Sequence, residues 1–172
     1  MKRMILCGLL VALFLSLGSA LRAAENDIKE FPVCKFCGMN RQIFAYSRMW
    51  IEYDDGTKEG VCSLHCAAID LALKLEKEPR AIWVGDYNRK TLIDAETAVW
   101  VIGGSKPGVM TKNAKWAFAD KADAERYRQE FGGRIAGFDE ALDATYRDLD
   151  EDTRMIRELR MKRKMKMMEL KK

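Results

Sequence analysis

The chain has 172 residues, 48% of them hydrophobic and 33% charged, with a formal net charge of +4. That length allows one domain with a real core or two very small ones. The charge is uneven: residues 21–152 hold 19 Lys and Arg against 24 Asp and Glu, whereas residues 153–172 hold 9 against 2. Only the C-terminal end therefore points to an anionic partner.

Residues 1–20 read as an export signal. Lys2 and Arg3 form a basic start, Leu9 to Leu17 is almost wholly apolar, and Gly18-Ser19-Ala20 supplies small residues for cleavage. The apolar run is shorter than the ~20 residues that span a bilayer. Cys7, behind Met4-Ile5-Leu6, has the wrong flanks for a lipid-attachment cysteine and is expected to leave with the signal. Export, to the periplasm or beyond, speaks against nucleic acid as the partner of the basic end. No other long apolar run follows, so the remaining ~150 residues are expected to be soluble.

Residues 21–30 are a polar leader. Met49 to Val61 reads as a β-hairpin around Asp54-Asp55-Gly56, because Asp and Gly accept the positive φ of a tight turn. A helix follows, capped by Ser63, with Leu64, Ala67, Ala68, Leu71 and Leu75 on one face. Ala81 to Tyr87 is a buried strand. A second half repeats the order: strands at Ala98–Ile102 and Lys115–Ala119, a helix capped by Asp120 and stopped by Gly132-Gly133, and a short strand at Arg134–Phe138. The pattern predicts an α+β domain over residues 31–138, in two halves of about 31–90 and 91–138. Residues 139–172 read as a helical tail, rich in Met and basic residues in its later part. Met161, Met165 and Met168 share one of its faces.

Two cysteine pairs carry the chemistry: Cys34-Lys35-Phe36-Cys37-Gly38-Met39 and Cys62-Ser63-Leu64-His65-Cys66. A redox-active C-x-x-C normally enters a helix that lowers the thiol pKa. Gly38 instead favours a tight turn, which aims both sulfurs at one point. Cys66 falls in the first turn of the Ser63 helix, where free N–H groups favour a thiolate. The hairpin between the pairs can bring all four sulfurs together. A four-thiolate site suits structural zinc; fewer thiolates with the Met39 thioether suit copper(I). In an exported protein the same cysteines can instead form two structural disulfides. His65, the chain's single histidine, points about 100° away from Cys66 on a helix, so it is a candidate ligand only if the site reaches round to it.

These motifs, with Trp83-Val84-Gly85-Asp86-Tyr87, Ala98-Val99-Trp100-Val101, Pro107-Gly108-Val109-Met110, Ala117-Phe118 and Phe131-Gly132-Gly133-Arg134, resemble the nitrous-oxide-reductase accessory protein (NosL) family. The resemblance runs from about Phe31 to Phe138. It implies a fold of two small ββαβ units in tandem, similar to part of organomercurial lyase. It also implies an exported copper(I)-binding accessory protein that delivers the metal to a periplasmic copper enzyme such as nitrous oxide reductase. Met110 matches the family's methionine, which gives a ligand set of Cys34, Cys37, Met39, Cys62, Cys66 and Met110. The surrounding Pro107-to-Lys112 stretch departs from the family pattern, and no histidine follows Met110.

Two other functions compete. One is a binding module stapled by zinc or disulfides, with no metal transfer. The other is an enzyme acting on thiols or organometals. That rests on fold analogy alone, which is a poor guide to reaction, and no acid–base pair stands beside the cysteines. A non-enzymatic role is expected. The basic end is expected to meet an acidic protein or a membrane surface.

Overall fold

The computed structural model describes residues 27–170; the segment read as an export signal, Cys7 and most of the expected polar leader lie outside the described residues. No helix among the described residues is long and apolar enough to cross a membrane. Strands β1 (Met49–Tyr53) and β2 (Lys58–Val61) form the expected hairpin, in register from Met49 opposite Val61 to Glu52 opposite Lys58. Gly56 turns it with φ +81°, and the Thr57 amide donates to the Asp55 carboxylate at 2.8 Å. Helix α1 (Leu64–Leu73) leads into β3 (Pro79–Gly85), which pairs antiparallel with the other edge of β1. Strand β4 (Leu92–Asp94) then adds to β3, giving the order β2-β1-β3-β4. The first sheet thus extends past residue 90 to Asp94.

The second unit repeats this topology. Strand β5 (Val99–Ile102) is central, β6 (Lys115–Phe118) is its hairpin partner, and β7 (Arg134–Ala136) returns to its other edge after helix α2 (Lys121–Phe131). In each unit the first strand lies between its neighbour in sequence and the strand after the helix. The expected tandem ββαβ arrangement is therefore present. Asp86, fully buried, ties the units together: its backbone bridges Ala117, and its carboxylate accepts the Ala119 amide at 2.7 Å. One apolar core runs through both, from Met49, Ile51 and Val84 to Trp100, Val101 and Phe118.

Three local expectations shift. Ser63 and Asp120 sit at the N-cap positions, but neither side chain caps its helix. Asp120 pairs with Arg89 instead, at 2.5 Å. Helix α1 ends at Leu73, so Leu75 leaves the apolar face and is 86% exposed. The largest change concerns the C-terminal region. Helix α3 (Phe138–Glu169) is continuous over 32 residues, and its first half belongs to the body. Phe138, Ala141, Ala144, Thr145 and Asp152 are buried, and α3 packs on α1 and β5. These contacts are made largely by small side chains, which allow close helix approach but leave a weak apolar pattern in the sequence. From Arg157 onward the side chains described are exposed.

Candidate metal centre

The first cysteine pair sits on a closed turn. The Cys34 amide donates to the Met39 carbonyl at 2.9 Å, and the Gly38 amide donates to the Cys34 carbonyl at 2.7 Å. Gly38 takes φ +73°, a conformation that a side chain would strain. Val33 and Asn40 bridge at the base of the turn. The second pair begins as β2 ends. Ser47 Oγ donates to the Cys62 carbonyl at 2.9 Å, and Cys66 occupies the third position of α1.

The hairpin brings the two pairs together. The four sulfurs lie within 4.8 Å of one another. Cys37 Sγ is 3.3 Å from Cys62 Sγ, and Cys62 Sγ is 3.8 Å from Cys66 Sγ. A tetrahedron of sulfurs around an ion with ~2.3 Å metal–sulfur bonds has edges of about 3.8 Å. The cluster therefore fits a metal ion with little rearrangement. None of the four is disulfide-bonded. Cys34, Cys62 and Cys66 are buried, whereas Cys37 is half-buried and faces a cleft.

The thiols share protons. Hydrogen bonds from Cys37, Cys62 and Cys66 hold the Cys34 thiol far below its ordinary pKa. For Cys37 the Cys34 interaction opposes ionisation, but bonds with Cys62 and Cys66 bring its pKa down on balance. Cys62 and Cys66 are pushed up, first by Cys34, then by Cys37, with burial adding to both. The cluster thus loses its first protons readily and holds its last ones firmly. A cation that replaces those last protons relieves the repulsion among buried thiolates.

His65 does not join the sulfurs. It is buried, with Nδ1 3.7 Å from Asp152 Oδ2 on α3. Burial lowers its pKa, against the opposing pull of Asp152. Its role here is packing α1 against α3.

Met39 and Met110, from opposite units, meet in one cleft of about 540 Å³ with Cys37 on its wall. Met110 has φ +62°, an uncommon conformation for a residue that is not glycine. The far wall comes from α3 and includes Met155, Ile156 and Leu159. Sequence reasoning missed Met155 because residues 139–172 read as a helical tail outside the domain. The clue was spacing: Asp148, Asp152 and Met155 fall at i, i+4 and i+7, and so share a face.

The NosL family profile matches residues 25–145. Among solved structures, the chain is similar to the copper chaperone NosL from Shewanella denitrificans, with a TM-score of 0.51 and 24% identity. That match covers 63% of this chain and 87% of the other. It is a likeness of fold. No curated protein matches the chain.

Proposed function

Since the chain belongs to the NosL family, we propose that it is an exported copper(I) metallochaperone, a carrier with no catalytic activity. On this reading its client is a periplasmic copper enzyme such as nitrous oxide reductase. The observation that carries the reading is the asymmetry of the sulfur cluster: three buried cysteines, and Cys37 on the wall of an open cleft. The solved relative, described as a copper chaperone, supports it.

The proposed site draws on Cys34, Cys37, Cys62 and Cys66, with Met39 and Met110 beside them. Soft thiolate and thioether donors select copper(I). Release needs an exchange of ligands in which the ion is never bare. A partner's donor entering the cleft meets the ion on the Cys37 side while Cys34, Cys62 and Cys66 still hold it. Cys37 then leaves first, because it alone of the four stands on the cleft wall. The buried trio gives affinity, and the open edge gives a way out.

A second reading has a specific observation behind it. Four sulfurs at tetrahedral spacing also suit structural zinc. Protein purified without air and titrated with both metals separates the two. The chaperone reading expects copper(I) to displace zinc, to protect all four thiols, and to pass to an acceptor protein within the time of mixing. His65→Ala should leave copper affinity within a few-fold. Zinc that resists copper(I), or copper that stays bound against a tighter acceptor, would favour the stapled module.

The exposed basic end of α3 extends the proposal to partners. Residues 153–172 carry 9 Lys and Arg, and Met161, Met165 and Met168 are each more than half exposed. We assign this end to an anionic surface, either an acidic protein or membrane head groups. Each basic residue contributes roughly 1 kcal/mol near such a surface, and salt weakens the attraction. Co-sedimentation with anionic vesicles should be strong at low salt and lost at high salt. Binding that ignores salt would rule out the electrostatic contact.

A further inference from the structure

Helix α3 does more in the cleft than close it. Three consecutive contact points stitch it to the loop that carries Met110. Asp148 accepts from Asn113 Nδ2 at 2.8 Å and from Lys115 Nζ at 2.5 Å. Glu151 pairs with Lys112 Nζ at 2.7 Å. Asp152 Oδ1 accepts the Lys112 amide at 3.1 Å. Asp148 and Asp152 face the loop, and the next residue on that face, one turn on, is Met155. The side chain of Met155 lines the same cleft as Met39, Met110 and Cys37.

Two features point to use rather than filling. Met110 is held at φ +62°; such a conformation in a large side chain costs on the order of 1–3 kcal/mol and persists where the surroundings impose it. Asp152, which accepts the Lys112 amide, anchors the backbone two residues further on. The thioethers also come from three separate elements: the cysteine turn, the second-unit loop and α3. A methionine has three rotatable bonds, so its sulfur can swing into a cleft wider than one ion.

Resting on the copper reading above, we propose that Met155 is a thioether ligand which, with Met39 and Met110, forms a second copper(I) station beside the four-thiol cluster. The buried thiols hold one ion, and the cleft offers a weaker site at the place where a partner enters. Met155 lies beyond the residues 25–145 that match the family. Asp152 holds the Met110 loop against α3, through the Lys112 amide.

The test uses the full reduced chain with its methionine methyl groups labelled for NMR. Silver(I), a redox-inert probe of soft donors, is added first to fill the four thiols and then in excess. The methyl signals of Met39, Met110 and Met155 should shift together. Met155→Leu, which keeps the apolar volume, should weaken silver binding at this step on the order of tenfold or more and leave the first equivalent unchanged. Met165→Leu should change neither. If Met39 and Met110 shift while Met155 does not, or if silver goes to Met161, Met165 and Met168, the inference is overturned. Failure of the thiols to take copper(I) would instead count against the chaperone reading. The cleft titration remains readable in that case, because silver(I) fills the thiols before the thioethers and the methyl signals of Met39, Met110 and Met155 report on the cleft alone.

Discussion

Replacing Arg41 with methionine should cost about 3–5 kcal/mol of stability, the penalty for breaking a buried charge pair by removing one partner. Arg41 is fully buried. Its guanidinium donates to the carbonyls of Val61, Asp27, Phe31 and Met49 and to the Asp27 carboxylate, at 2.7–3.1 Å. Arg48 binds the same carboxylate from the other side, at 2.8 Å. Removing Arg41 leaves buried carbonyls without donors and Asp27 with one cation instead of two. The segment from Asp27 to Cys34 is held to β1 and β2 through this network, so metal affinity should fall as well. Urea denaturation of the variant reads the first effect. A loss below about 1 kcal/mol, the range of a surface pair, would mean the network does not hold the segment.

Oxidation should have the largest effect on metal binding. Copper(I) is expected to bind the reduced protein tighter by several orders of magnitude than the oxidised form, because a disulfide sulfur is no longer a thiolate donor. The pair expected to close first is Cys37 with Cys62, whose sulfurs stand 3.3 Å apart. This bridge would join the two motifs rather than lie within either. Peptide mapping after mild oxidation identifies the bridge, and chelator competition on both forms gives the affinities. Equal affinity in the two states would put the metal elsewhere, for instance on the exposed methionines of α3.

The hairpin and the strands were legible because each rests on local chemistry: Asp55-Gly56 makes a turn, and runs such as Val99-Trp100-Val101-Ile102 suit a buried strand. The convergence of the cysteines was legible too, since a hairpin returns its ends to one place. Arg41 was not. A lone arginine in a short connecting segment reads as solvated, and its burial depends on Asp27 and on carbonyls from three separate stretches. Asp27 itself fell in what read as a polar leader, yet it is only 1% exposed. The acidic run on α3 misled in the same way. Asp148, Glu151 and Asp152 look like a solvent face until the loop at residues 111–115 is set against them. Interactions between distant polar groups leave no periodicity, so the cleft wall built on them could not be read in advance.

Helix α3 also acts as a ruler. Its 32 residues run without a break from the core to the basic end, and residues 157–169 rise about 20 Å at 1.5 Å per residue. A flexible tether of the same length would let the body tumble above whatever the basic residues touch. A rod fixes both height and tilt. Its first half is clamped to the Met110 loop, so the orientation of the rod is also that of the cleft. Whatever surface receives the basic end therefore sees the cleft at a set height and angle. On the proposed carrier role, an acceptor anchored on that surface would have to present its ligands at that height, and helix length would then bear on client choice separately from any contact the client makes.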